Sequence, residues 1–367
     1  MKIGYKWPKN YAHERCISFQ EEHEFIDCDN LRNLDGPWWQ NKIFDFMGDD
    51  FDVDIYHFFN CVHNGTTPWV STFESILPRT TDTLDCYRED SFEIYYPEDI
   101  QSRMEFILKD NCLGIIPISK WAEKLQTELF NRMGIVGFDK MFQIYPPQKL
   151  NTRKPVEYDT KDKLKIIFIG NAFWRKGGTD VLRAIQNIVD IELTIISKMR
   201  VDPHAAVESD RHFKETEECI KNNDWIIHHD GLENEEVLKI ISKSHLALLP
   251  TYSDTFGYSV LECQSFGVPV ITTDVSALSE INNNDCGWVI KIDKNIWGEG
   301  LGHIRKSHRF RNRETIIRGI RNIIQTIRLD SKLIERKSKA CIERIEKVHD
   351  PKKISNEIKK VYDLGKM

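Results

Sequence analysis

Two carboxylates flank a possible anion-binding turn in the segment 245–274. Asp254 lies in the polar stretch TYSDTFG, and Glu262 follows inside the helical stretch YSVLECQSF, with seven residues between the two acids. Gly257 stands where the loop meets the helix, and the absence of a Cβ there lets a ligand approach the first helical N–H groups. These N–H groups carry the positive end of the helix dipole and favour an anion. An anion site between two acids suits a ligand that is both phosphorylated and rich in hydroxyl groups, such as a nucleotide-sugar.

A second loop offers cations for the same kind of ligand. In the stretch GNAFWRKGG, Gly170 begins the loop, Asn171 follows it, and Arg175 and Lys176 precede a pair of glycines. The Gly-Lys-Ser/Thr order of a Walker loop is absent, so this is not that type of phosphate loop.

Both loops follow apolar runs that read as buried strands. The runs LKIIFI (164–169) and HLALLP (245–250) are short, bounded by turn residues, and followed by helical stretches. Such runs are typical of a parallel sheet, where ligands bind at the carboxyl ends of the strands. The sequence therefore predicts an α/β fold with both loops at one edge of a sheet.

The segment 254–271 resembles the signature of the retaining GT-B glycosyltransferases of family four, the glycosyl transferases group one domain. That signature has an acid, a Gly-Phe-Gly-like loop, a second acid eight positions on, and then Gly-x-Pro-Val-Ile. The matching residues here are Asp254-Thr255-Phe256-Gly257, then Glu262, then Gly267-Val268-Pro269-Val270-Ile271. The first acid is usually Glu and the next residue usually Gly, so Asp254 and Thr255 depart from the pattern.

The resemblance implies roles for individual residues. Asp254, Glu262 and Lys176 would be catalytic: Lys176 matches the lysine that holds the donor diphosphate, Glu262 would bind the ribose, and Asp254 the donor sugar. Asn171 stands where an arginine is usual, and Arg175 is either its replacement or a surface residue. The implied donor-binding residues are Gly170, Asn171, Arg175, Lys176, Leu232, Thr255, Phe256, Gly257, Tyr258 and Glu262.

The implied architecture is that of GT-B enzymes, with two Rossmann-like domains facing across a cleft and a C-terminal helix that crosses back to the N-terminal domain. A chain of 367 residues is long enough for two cores. We expect an acceptor-side domain over 1–150, a donor domain over 151–345 and a returning helix over 346–367. We predict no functional role for residues 1–50.

Two residues of the first half are candidates for the cleft. His57 ends an apolar strand, and an equally good interpretation is a histidine satisfied by its neighbours. Glu74 lies near the position where the resembling enzymes often carry a histidine, and Phe73 occupies that neighbourhood here.

Charge is unevenly distributed along the chain. The net charge is −6, yet residues 303–360 hold 18 Lys and Arg against 7 Asp and Glu. This basic segment indicates either a face for an anionic acceptor or a membrane surface, or a set of solvated helix faces whose long stems cover apolar surface. We expect no nucleic-acid partner, because no aromatic interleaving or nucleic-acid module accompanies the charge.

Other features point to an intracellular protein. There is no apolar run near twenty residues and no apolar leader at the N-terminus, and the nine scattered cysteines form no paired motif. We expect a cytoplasmic enzyme, in peripheral contact with a membrane if the basic segment binds one.

The sequence thus predicts a glycosyltransferase that moves a sugar from a nucleoside diphosphate donor, UDP- or GDP-linked, to a glycan, lipid-linked or small-molecule acceptor. The resemblance implies retention of anomeric configuration, and neither a cofactor nor a metal ion is expected. The alternatives are a non-catalytic nucleotide- or sugar-binding relative and a GT-B sugar-nucleotide epimerase.

Overall fold

The computed structural model describes residues 1–6, 22–28, 45–46, 51–88, 92–94, 97–199, 210–301 and 306–366. The chain divides into two compact units, the first made of Met1–Gln148 and His349–Met367 and the second of Lys149–Val348. Most of residues 1–50 lie outside the described ranges. No helix of the described residues is both long enough and apolar enough to cross a bilayer.

The first unit is built on a parallel five-stranded sheet with the order β2-β1-β4-β6-β7. A separate parallel pair is formed by β3 and β5. The strands are β1 (Lys2–Lys6), β2 (Glu24–Asp27), β3 (Asp45–Phe46), β4 (Ile55–Phe59), β5 (Val62–His63), β6 (Trp69–Phe73) and β7 (Cys112–Pro117).

The second unit is built on a parallel six-stranded sheet with the order β10-β9-β8-β11-β12-β13. The strands are β8 (Leu164–Ile169), β9 (Ile191–Ile196), β10 (Ile226–His229), β11 (Leu246–Leu249), β12 (Val270–Thr273) and β13 (Trp288–Ile290). Two parallel sheets interleaved with helices confirm the predicted α/β class.

Helices connect the strands and complete the chain. They are α1 (Thr81–Cys86), α2 (Pro97–Leu108), α3 (Lys120–Arg132), α4 (Gly178–Ile185), α5 (Asp210–Lys221), α6 (Asn234–Ile241), α7 (Tyr258–Ser265), α8 (Leu278–Ile281), α9 (Lys306–Leu329), α10 (Lys332–Val348) and α11 (Pro351–Asp363). Local sequence explains several of their ends: for example, the Ser119 side chain accepts a hydrogen bond from the Ala122 N–H at 3.0 Å and caps α3.

The strand order of the second sheet reverses beside β8. From β8 the chain moves outward through β9 to β10, and it then returns to place β11 on the other side of β8. The register pairs Leu246 with Ile166 and Leu248 with Phe168, so the two strands end side by side. The carboxyl ends at such a reversal form a crevice, which is where open α/β sheets bind ligands.

The last helix packs into the core of the first unit. Asp350 caps α11 by accepting a hydrogen bond from the Lys353 N–H at 2.8 Å, and Pro351 occupies its first turn. Its buried face joins the strands of the first sheet in one cluster, through Ile354, Ile358, Val361 and Tyr362. The chain therefore returns to the N-terminal unit, as the resemblance implied.

The apolar stretch MFQIYPP (141–147), stopped by two prolines, predicts a strand, but the structure shows an irregular segment there. Met141 makes an isolated bridge to Ile115, and the N–H of Ile144 donates to Pro117 O at 3.2 Å. The two prolines that follow, Pro146 and Pro147, have no N–H to continue a ladder.

His57 lies in the interior of the first unit, fully buried. Its Nδ1 is 2.5 Å from the Tyr362 hydroxyl of α11, and its Nε2 is 2.8 Å from Thr72 Oγ1. Burial disfavours the charged ring and lowers the pKa of His57 to about 3. These contacts favour the structural interpretation of this histidine, because they tie α11 to β4 and β6.

The lowered pKa of His57 predicts an acid-sensitive stability. The unfolded chain takes up a proton near pH 6.5 and the folded protein only near pH 3, so stability is lost as pH falls through this window. We expect a loss of up to about 1.4 kcal/mol per pH unit from this group, measured by urea unfolding between pH 7 and 4. The His57→Gln variant, which does not titrate, should show a shallower dependence. Equal slopes in the two proteins would contradict this assignment.

Candidate functional site

Two loops at the reversal point are bonded to each other. The first, 170–177, joins β8 to α4, and the second, 250–257, joins β11 to α7. The carbonyl oxygen of Arg175 accepts hydrogen bonds from the Tyr252 N–H at 3.0 Å and from Thr251 Oγ1 at 3.3 Å. In return, Arg175 Nη1 donates to Ser253 O at 2.7 Å. The main chains of both loops are therefore fixed relative to each other.

These bonds bring the predicted cation and the predicted first acid together. Lys176 Nζ forms an ion pair with Asp254 Oδ2, although 78 positions separate the two residues. The side chains are only 14% and 11% exposed, respectively. A Cβ on Gly170 would lie 3.1 Å from Lys176 Cγ, which shows that the lysine stem runs close over this glycine.

Glycines allow the close approach of the first loop to the strand beside it. Gly177 has φ of +82°, and a Cβ there would lie 2.3 Å from Pro250 O at the end of β11. A Cβ on Gly178 would lie 2.2 Å from the ring of Phe173. Both distances are far below normal contact, so the pair Gly177-Gly178 is required by packing and backbone conformation rather than by a ligand.

The second loop ends at the N-terminus of α7. Gly257 is the N-cap residue, with φ of +92°, and it supplies no side-chain cap. The Phe256 side chain is fully buried, and its ring centroid lies 4.9 Å from that of Tyr258. Any contact from Phe256 to a ligand would therefore be made by its backbone. The helix dipole and the first-turn N–H groups make this end of α7 suitable for an anion.

Glu262 lies on the second turn of α7 and is half-buried. It stands four residues after Tyr258, and residues with this spacing share one face of a helix. Glu262 is thus held on a short rigid helix that begins at the anion-binding turn, whereas its neighbours Leu261 and Cys263 are buried.

A charged network supports the two loops. Tyr252, fully buried, donates its hydroxyl to Asp180 Oδ2 at 2.5 Å. Asp180 also accepts from Arg313 Nε at 3.0 Å, and the guanidinium of Arg309 lies 3.6 Å from the centroid of the Tyr252 ring. Arg309 Nη2 further donates to Trp174 O at 3.2 Å. Burial, followed by the charge of Asp180, raises the pKa of Tyr252 well above its usual value.

The remaining predicted residues of the second unit are more exposed. Asn171 is exposed directly after Gly170, and Thr255 is half-buried between Asp254 and Phe256. Leu232 is half-buried in the loop that follows β10. Because β9 lies between β10 and β8, this loop is farther along the same edge of the sheet.

Glu74 of the first unit is buried and paired. Its Oε1 lies 2.6 Å from Arg79 Nη1, and its N–H donates to Asn60 Oδ1 at 3.1 Å. The segment follows β6, at the carboxyl end of a parallel strand. The ion pair therefore holds the Glu74 and Arg79 side chains beside each other. A contact of Glu74 or of His57 with a ligand stays a prediction.

Sequence reasoning did not identify Tyr252, Asp180, Arg309 or Arg313. An aromatic residue inside a polar loop was the one local signal, at Tyr252. The other three belong to α4 and α9, and no spacing in the sequence links them to the loops. Within the described residues, no group of three or more His, Cys, Asp or Glu side chains is arranged to hold a metal ion.

Comparison with known proteins is consistent with this site. Residues 151–296, which include both loops and α7, match the sequence profile of the family described as glycosyl transferases group 1. The matched region contains Lys176, Asp254 and Glu262.

Curated relatives match over a limited length. An uncharacterized 41.2 kDa protein in the cps region of Klebsiella pneumoniae is 24% identical over 153 residues, covering 42% of this chain and 37% of that protein. The D-inositol 3-phosphate glycosyltransferase of Arthrobacter sp. (strain FB24) is 25% identical over 123 residues, covering 32% of this chain and 28% of that protein. The chain thus spans about a third of the length of the curated relatives it matches.

Solved structures match over nearly the whole chain. The structure of Anabaena HepE in complex with UDP and glucose has a TM-score of 0.62 at 10% identity and covers 99% of both chains. At this identity the likeness concerns the fold, and it confirms the GT-B fold that the sequence predicted.

The backbone of Gly257 offers a first test. The Gly257→Ala variant should lose roughly 1–3 kcal/mol of unfolding free energy, because φ is +92° and the new Cβ would lie 2.5 Å from Leu278 Cδ2. Gly231→Ala is the control, since the nearest atom to its Cβ would be Lys198 Cε at 3.9 Å. Denaturant unfolding measures both. Equal stability of the two variants would contradict the packing described for Gly257.

The buried network offers a second test. The Tyr252→Phe variant should lose roughly 1.5–3 kcal/mol of unfolding free energy, because Asp180 loses one of its donors in a buried environment. The control is Tyr158→Phe, in another buried tyrosine, whose hydroxyl is not bonded to a carboxylate of the described residues. Removal of that hydroxyl should cost about 1 kcal/mol at most. Equal losses in thermal and urea unfolding would show that the hydrogen bond to Asp180 contributes little.

Proposed function

We propose that this protein is a retaining glycosyltransferase that moves a sugar from a UDP-sugar donor to an acceptor hydroxyl without a metal ion. The observation that supports it most strongly is the meeting of Lys176 with the loop that leads into α7, at the strand-order reversal beside β8. A diphosphate placed there would face an ammonium group and a helix N-terminus together.

The chemistry requires stabilisation of a leaving diphosphate. When the bond between the anomeric carbon and the phosphate oxygen breaks, negative charge develops on that oxygen. Lys176 and the N–H groups at Gly257 and Tyr258 would stabilise this charge, and fixed donors and dipoles aimed at developing charge are an effective source of catalysis. Two positive groups from independent loops can take the place of a divalent cation in this role.

The two acids would position the donor. A carboxylate accepts hydrogen bonds from two neighbouring hydroxyl groups, which suits Glu262 to the two hydroxyls of a ribose. Asp254, at the entrance of α7, would accept hydrogen bonds from hydroxyl groups of the transferred sugar. Retention of configuration is proposed from the resemblance of the segment 254–271, and no carboxylate is assigned as a nucleophile.

Arg175 and Asn171 would contribute in different ways. Arg175 already donates to Ser253 O, so its main role in our proposal is to hold the two loops together. Asn171 is exposed at the start of the first loop and would face the donor only through a neutral amide. Lys176 is then the principal cation of the proposed diphosphate site, and Leu232 would lie near the nucleobase.

UDP is proposed as the nucleotide because the similar fold of Anabaena HepE is described with UDP and glucose. The acceptor class stays open among a glycan, a lipid-linked sugar and a small alcohol, the last represented by the name of the Arthrobacter relative. We also propose a cytoplasmic location and contact of the basic segment 303–360 with a membrane.

Nucleotide binding tests this function first. We expect UDP to bind with an affinity that EDTA does not change, and Lys176→Ala and Glu262→Ala each to weaken it roughly tenfold or more, as the loss of a charge-assisted hydrogen bond predicts. Isothermal titration calorimetry measures the affinity, with GDP and ADP for comparison. Lys165→Ala is a matched control, because Lys165 is an exposed lysine at the opposite end of β8.

Two results would contradict the proposal. Unchanged affinity in both site variants would remove the assignment of Lys176 and Glu262. The absence of any glycosylated product with UDP-sugars and an acceptor panel, despite UDP binding, would favour a non-catalytic relative, and an epimerised donor would favour the epimerase. Where a product forms, NMR of its anomeric proton decides between retention and inversion.

A further inference from the structure

The ion pair between Lys176 and Asp254 has a consequence for ligand release. Both side chains are largely enclosed, and both loops are anchored by the bonds between Arg175, Tyr252 and Ser253. The carboxylate is therefore held beside the ammonium group before any ligand arrives. The cation proposed for the diphosphate is already neutralised by an acid of the protein itself.

A diphosphate that reaches Lys176 encounters this carboxylate as a like charge. It must either displace Asp254 from the ammonium or share the lysine with it. Charges in an enclosed site interact more strongly than charges in bulk water, because less solvent screens them. The ligand therefore binds more weakly than it would bind to Lys176 alone.

We propose that Asp254 is an internal counterion of Lys176 that competes with the nucleoside diphosphate and promotes its release after transfer. This inference rests on the proposed function, since it concerns the same donor site. It adds a role for Asp254 that is distinct from holding the sugar: the carboxylate re-forms its pair with Lys176 when the nucleotide departs.

The same competition distinguishes the donor from the product. In the complex with a UDP-sugar, the carboxylate displaced from Lys176 can accept hydrogen bonds from sugar hydroxyls, which offset the loss of its partner. After the sugar has been transferred, those hydroxyls are gone and the ion pair of Asp254 with Lys176 can form again. The pair therefore favours binding of the intact donor over retention of UDP.

The experiment compares three ligands, UDP, a UDP-sugar and uridine, by titration calorimetry on the wild type and on Asp254→Asn. We expect the variant to bind UDP roughly tenfold more tightly, as the removal of one nearby like charge predicts. Uridine, which has no phosphate, should bind with unchanged affinity. The UDP-sugar should gain less than UDP, because the variant also loses an acceptor for sugar hydroxyls.

Two further variants separate charge from structure. Asp254→Glu restores the carboxylate and should return the UDP affinity to within about threefold of the wild type, a change of less than 1 kcal/mol. Asp274→Asn is the matched control, because Asp274 pairs with Lys294 at 2.6 Å in the same unit and is similarly enclosed. It should leave UDP binding unchanged. If Asp254→Asn does not fold, Asp254→Ser is the second neutral variant.

Transfer kinetics provide an independent measurement. The Asp254→Asn variant should be inhibited by UDP at a lower concentration than the wild type, and stopped-flow displacement should show slower UDP dissociation. UDP affinity that is unchanged or weaker in both neutral variants would overturn the counterion role, as would an equal gain for uridine. Failure of the wild type to bind any nucleotide would instead overturn the proposed function.

Discussion

The parallel pairing of β8 with β11 is the constraint on which the candidate site depends. It reverses the strand order beside β8, so two loops that are far apart in the chain leave the sheet at neighbouring positions. The hydrogen bonds of Arg175 with Tyr252 and Ser253 then fix those loops to each other. Lys176 and Asp254 meet as a result of this pairing, and neither loop by itself would define a binding site.

The site also depends on α9, a helix that contains none of the proposed catalytic residues. Asp180 is fully buried, and a buried carboxylate is costly unless it is paired and hydrogen-bonded. Arg313 of α9 and the Tyr252 hydroxyl meet this requirement, while Arg309 covers the Tyr252 ring. The position of the second loop is therefore coupled to the N-terminal half of α9, a region that lies well after the site in the chain.

This arrangement gives part of the basic segment 303–360 a structural purpose. Arg321 donates to Ala184 O at 3.0 Å and Arg183 O at 2.7 Å, at the C-terminal end of α4. Arg344 donates to Ile281 O at 3.0 Å, at the end of α8. Helix C-termini expose carbonyl oxygens and favour cations. These contacts support the structural interpretation of the charge surplus, because the guanidinium groups act as caps within the second unit.

The sequence by itself determined the features that rest on local patterns. The apolar runs of β8 and β11, and the glycine at the start of α7, could be identified because strand patterns and turn residues act over a few residues. The same reasoning was wrong for 141–147, where the apolar stretch suggested a strand. Backbone bonds reach β7 from Lys140, Phe142 and Ile144, but Pro117 of β7 has no N–H to extend the ladder. Only the tertiary structure decided that Lys176 forms an ion pair with Asp254 and that the Tyr252 hydroxyl donates a hydrogen bond to Asp180. Those contacts join residues more than seventy positions apart, and their geometry is set by strand order and packing, which no local pattern encodes.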